Sequence, residues 1–108
     1  MIKAEFYIKN GNIVKFVIDG HAQYSEEDDI ICAAVSSVAW STVNGIENVA
    51  KISCGYETKD GHVFFVLPND LTKSELEKTD LLLYSFLMYI KELEGQYYDY
   101  IKVTELEV

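Results

Sequence analysis

Asn10-Gly11 stands between two runs of alternating residues, and no other feature restricts the folding of this chain as sharply. Before it, Ile2, Ala4, Phe6 and Ile8 alternate with Lys3, Glu5, Tyr7 and Lys9, the period of a strand with one buried face. The dipeptide accepts the positive backbone angles of a two-residue turn. The next run, NIVKFVID, is therefore expected to return antiparallel to the first strand and to end at Gly20 and His21.

From Gln23 to Asp29 only Tyr24 is apolar, so the pattern reads as a loop. From Asp29 it turns helical, with Val35, Val38, Thr42, Ile46 and Val49 recurring at three- and four-residue steps to about Ala50. KISCGYETKDGHVFFVLP then holds two strand-like runs around Asp60-Gly61, another dipeptide suited to a primed turn, and Pro68 closes the hairpin. Thr72 precedes Glu75 by three residues, the spacing of a capping box. Leu76, Leu83, Phe86, Ile90, Leu93 and Tyr97 continue as the apolar stripe of a second long helix, with Gly95 near its stop. The tail YYDYIKVTELEV alternates again and supplies a last strand. The order ββαββαβ predicts an α/β (α+β) domain over 1–108, an antiparallel or mixed sheet with both helices on one face.

Composition narrows the function classes. With 108 residues, 49% of them hydrophobic, the chain suits one compact domain. The N-terminus alternates instead of showing a basic start followed by an apolar run, so no secretion signal is expected. No apolar run is expected to reach membrane-spanning length. Two cysteines are too few for a disulfide framework, which points to reduced thiols in a cytoplasm. A net charge of −9 argues against a nucleic-acid partner, which would require clustered Lys and Arg, and suits a cationic peptide or protein.

GHAQYSEEDDIICAAVSSV carries the chemistry. If Asp29 is the N-cap, Cys32 falls at the third helical position, where unpaired amides and the helix dipole favour a thiolate and an oxyanion. His21, at the end of a strand, would reach Cys32 across the loop as general base and acid. Against this stands the plainer reading of Cys32 as a small core residue and His21 as a loop residue. The acids Glu26 to Asp29 would oppose thiolate formation unless water screens them, and they read as a solvated face more readily than as a cation site. No metal or cofactor is expected. Ser36, one turn beyond Cys32, either lines the site or bonds back to its helix. His62 is expected at an exposed strand edge, with a place near the cleft as the alternative, and Cys54 as buried filler in a strand. Trp40 and YYDY are expected in the core, with a groove or dimer contact as the alternative.

The same stretch resembles the bacterial ribosomal-processing cysteine protease family, Prp, whose signature joins a Gly-His-Ala turn to an Asp-Ile-Val-Cys-Ala-Ala-Val-Ser helix start. The length, first hairpin, second helix and final strand are also similar to that family. The resemblance implies a His21–Cys32 dyad, with Gly20, Ala22, Asp29 and Ser36 binding substrate or supporting the site. It implies a homodimer that removes the N-terminal extension of a large-subunit ribosomal protein, a loop closing over the peptide. Here Glu27 stands where the family commonly has glycine, and the loop is one residue shorter, which restricts that closure. Two rivals remain: a non-catalytic peptide-binding or ribosome-assembly module, and the same chemistry on another peptide or small amide.

Overall fold

The computed structural model describes residues 1–20 and 26–108, the side chains of 26–29 excepted. Among the described residues the strands are β1 (Ile2–Lys9), β2 (Asn12–Asp19), β3 (Gly55–Lys59), β4 (His62–Val66) and β5 (Ile101–Glu107). The helices are α1 (Glu26–Asn44) and α2 (Lys73–Gln96). The strands form one mixed sheet in the order β3-β4-β2-β1-β5, with β5 parallel to β1 and the other pairs antiparallel. The expected order and fold class are observed.

Asn10 and Gly11 both have positive φ, 52° and 82°, as a primed hairpin turn requires. The β1–β2 register then slips between Tyr7 and Ile8, so that Val14 is left over as a bulge. Its carbonyl is taken instead by the Leu67 amide at 2.9 Å. Ile13, Phe16 and Ile18 consequently share the buried face despite their uneven spacing.

The other face of β1 carries Lys3, Glu5, Tyr7 and Lys9, none of them buried. Both helices therefore pack on the face of Ile2, Ala4, Phe6 and Ile8, whose core also takes in Ile31, Val35, Leu83 and Phe86. Phe86 of α2 meets Phe6 and Phe16 edge-on at 5.5 and 5.1 Å, and Phe16 stacks on Phe65 at 4.9 Å. Such contacts add about 0.5–1.5 kcal/mol each beyond the area they bury. The α2 helix also straps the first hairpin: Asp80 accepts from the Ile13 amide at 3.1 Å, and the Tyr84 hydroxyl donates to the Gly11 carbonyl at 2.7 Å. The capping box at its start is present in both directions, Glu75 N–H to Thr72 Oγ1 and Thr72 N–H to Glu75 Oε1.

Several local expectations are corrected. The α1 helix begins at Glu26, so Asp29 is not its N-cap; acidic residue types suit a first helical turn, which needs no apolar residue of its own. It ends at Asn44, and a π-helical turn, Gly45–Val49, completes the stretch to Ala50. Val49 is exposed there and leaves the predicted stripe. Cys54 precedes β3 instead of lying in it, and Tyr97 to Tyr100 form a turn ahead of β5. At the second hairpin only Gly61 has positive φ, 71°, so the turn is not a primed one. Its Gly61 carbonyl accepts from the Gly20 amide at 2.9 Å. Contrary to expectation, Ile30–Val49 is long and apolar enough to cross a membrane by length and composition; here its apolar stripe is the core face of α1.

Candidate active site

The end of β2, the second turn of α1 and the β3–β4 hairpin enclose an open cleft of about 390 Å³. Gly20, Cys32 and Ser36 line it, and with them Thr58, Lys59 and His62. Three residues predicted for the site are thus brought together. His21 and Ala22 lie outside the described residues, as does the side chain of Asp29.

Cys32 faces the cleft because its neighbours fix the rotation of α1. Ile31 and Val35 are 2% and 3% exposed and turn toward the core. A one-residue step turns the helix by about 100°, which places Cys32 at the margin of the core, half-buried. Ser36 follows on the same row, one turn along and exposed. Because α1 starts at Glu26, Cys32 is its seventh residue. The unpaired first-turn amides then lie about 6–9 Å before it along the axis. The expected stabilisation of sulfur by the helix start is weakened accordingly, since that effect fades beyond the first turn.

Gly20 is needed for shape. Its φ is +128°, and a Cβ there would come within 2.2 Å of the Met1 carbonyl oxygen. No side chain fits between the end of β2 and the start of β1.

The second histidine takes the alternative place, in the cleft lining. β4 is an interior strand, and its pairing sets His62 opposite Asp19 on β2. Nδ1 of His62 meets a carboxylate oxygen of Asp19. A neutral imidazole so held carries its proton on Nδ1 and presents Nε2 as an acceptor. Asp19 ends β2 and His62 begins β4, and these terminal positions are the one sequence signal for pairing them. Cys54 differs from Cys32: its thiol donates to Glu47 at 3.4 Å and is pushed up to about 12, first by burial and then by that hydrogen bond and charge. It is a poor nucleophile near neutral pH.

A mixed sheet with two helices on one face and a cysteine on the margin of a cleft defines an α+β domain with a candidate thiol site. The model for the family "Cysteine protease Prp" matches residues 1–102, and the chain belongs to that family. It is 28% identical to the ribosomal processing cysteine protease Prp of Bacillus subtilis over 99 residues, 85% of each chain. With the Staphylococcus aureus protein of that name it shares 28% over 97 residues, 87% of this chain and 88% of the other. In structure it is similar to SMU.848 from Streptococcus mutans, with a TM-score of 0.84 and 27% identity over 100% of this chain and 96% of that one. The essential ribosomal processing protease Prp of S. aureus, in complex with a substrate peptide, has the same fold at a TM-score of 0.84 and 23% identity, over 97% and 99% of the chains.

Proposed function

We propose that this protein is a cytoplasmic cysteine endopeptidase that removes the N-terminal extension of a large-subunit ribosomal protein, acting as a homodimer and without metal or cofactor. The observation that carries the reading is the meeting of Cys32, Gly20 and Ser36 in one cleft, in a chain matched to its protease family over residues 1–102. Cys32 is the nucleophile and His21 the general base and acid. The imidazole accepts the thiol proton as Sγ bonds to the scissile carbonyl carbon, then delivers it to the departing amine as the C–N bond breaks. Water, deprotonated by the same imidazole, hydrolyses the thioester, releases the carboxylate product and restores the thiol. Gly20, Ala22, Asp29 and Ser36 shape and support this site. The net charge of −9 favours a cationic peptide and disfavours nucleic acid.

A second assignment of the base has its own observation. His62 lines the cleft with Cys32 and is oriented by Asp19, a carboxylate–imidazole arrangement suited to general-base work. The test is incubation with the extended ribosomal protein, followed by peptide mass, for the parent and for Cys32→Ala, His21→Ala and His62→Ala. Cutting is expected from the parent and from His62→Ala but not from the other two. Loss with His62→Ala and retention with His21→Ala would transfer the base role. Binding without cutting by the parent would replace the enzyme with a peptide-binding module.

A further inference from the structure

Trp40 departs from the expected core position: 53% of it is exposed. It extends the row already occupied by Cys32 and Ser36, each four residues apart on α1. Across from that row runs β3, the edge strand of the sheet. Tyr56 pairs in register with the fully buried Phe65, so it points to the helix side, and Thr58, two residues on, shares that side. Thr58 lines the cleft with Cys32 and Ser36, while Tyr56 meets Trp40 edge-to-face at 4.8 Å. Beyond the cleft lining the α1 row ends at this aromatic pair, where Trp40 stands exposed on its contact with Tyr56. There the Tyr56 hydroxyl is buried without a hydrogen-bond partner among the described residues.

We propose that Trp40 determines specificity by receiving a bulky apolar side chain of the scissile peptide, which lies extended along the Cys32–Ser36–Trp40 row of α1. This deepens the protease reading and rests on it. The spacing fixes which side chain. Eight helical residues separate Cys32 from Trp40, about 12 Å at 1.5 Å per residue. An extended peptide covers that distance in three to four residues at about 3.3 Å each. The apolar side chain thus lies three or four positions from the bond attacked.

Trp40 is the only tryptophan of the chain, so its emission reports on this end of the row alone. The experiment uses twelve-residue peptides spanning the cleavage site of the N-terminal extension, with alanine replacing each residue in turn up to five positions on either side. Binding to Cys32→Ala is followed by peptide anisotropy and by Trp40 emission, and cleavage is measured with the parent and Trp40→Ala. Bound parent peptide is expected to shift Trp40 emission to the blue and protect it from quenching. Alanine three or four positions from the scissile bond should abolish the shift. Trp40→Ala should lower kcat/KM roughly tenfold or more for the parent peptide and leave that of the matching alanine peptide unchanged. Cleavage with unaltered Trp40 emission, or a Trp40→Ala loss equal for every peptide, would overturn the Trp40 contact while leaving the protease reading intact. Binding that shifts Trp40 without cleavage by the parent would keep the contact and remove the protease. A blue shift that grows with protein concentration in the absence of peptide would assign Trp40 to self-association and overturn the proposal.

Discussion

Gly20→Ala separates shape from chemistry at the edge of the cleft. The parent glycine holds φ at +128°, a region that side-chain-bearing residues enter at a cost of about 1–3 kcal/mol. The new Cβ would also stand 2.2 Å from the Met1 carbonyl oxygen and 2.9 Å from Ile2 Cα. Both are backbone atoms, so no flexible side chain can yield. The start of β1 must shift, and with it the 2.7 Å bond from the Ile2 amide to the Tyr100 carbonyl, worth about 0.5–1.5 kcal/mol. The sum is a loss of roughly 2–4 kcal/mol, against about 5–15 kcal/mol for a typical domain.

With a urea dependence of about 2 kcal/mol per molar, that loss lowers the unfolding midpoint by roughly 1–2 M. Urea titration followed by circular dichroism measures it, with cleavage assayed well below the new midpoint. An unchanged midpoint would refute the steric argument. An unchanged midpoint with lost cleavage would go further and give Gly20 a direct part in handling substrate.

The Cys54 thiol, raised from 9.0 to about 12, should be alkylated at pH 8 roughly a thousandfold more slowly than an ordinary thiol. Glu47→Gln should recover only part of that rate, because burial is the larger cause; mass mapping after iodoacetamide treatment reads it, and ordinary reactivity in the parent would contradict the assignment. Burial lifts the Asp80 carboxyl above the usual carboxylate range, partly offset by the Ile13 amide. The folded state then holds its proton more tightly than the unfolded chain, so stability from this group falls as pH rises from the unfolded value through the folded one. Asp80→Asn keeps an acceptor for Ile13 and should raise the melting temperature at pH 7, with the gain shrinking toward pH 4. No gain at pH 7, or a gain independent of pH, would sink that account.

Local signals carried most of the fold. Asn10-Gly11 and the Thr72/Glu75 box each act through a few neighbouring atoms, and both were legible. The first turn of α1 was not, because periodicity marks a helix only where a face is apolar, and residues 26–29 are all acidic. Nor was the π-helical turn, whose first residue, Gly45, passes close to Leu82: a Cβ on Gly45 would come 3.2 Å from Leu82 Cδ1. For His62 the sequence left the cleft only as the alternative to an exposed edge. Its place in the cleft depends on β2 pairing with β4, and Asp19 and His62 are 43 residues apart in sequence. Cys32 and Ser36 were candidates from their place near the helix start, and only resemblance favoured them as site residues, since neither periodicity nor spacing distinguishes a cleft cysteine from a core one.

That difficulty follows from how α1 is used. Ile31, Val35 and Ala39 form its buried row, and Cys32, Ser36 and Trp40 form a second row displaced by one residue. The two rows are about 100° apart on the same cylinder, so packing of the first sets the direction of the second. Val35 belongs to both settings, 3% exposed in the core and also lining the cleft. The residues that aim Cys32 are therefore ordinary core residues, members of one buried cluster with Phe65 and Leu67. Specificity can then reside in the exposed row while the buried row carries the stability.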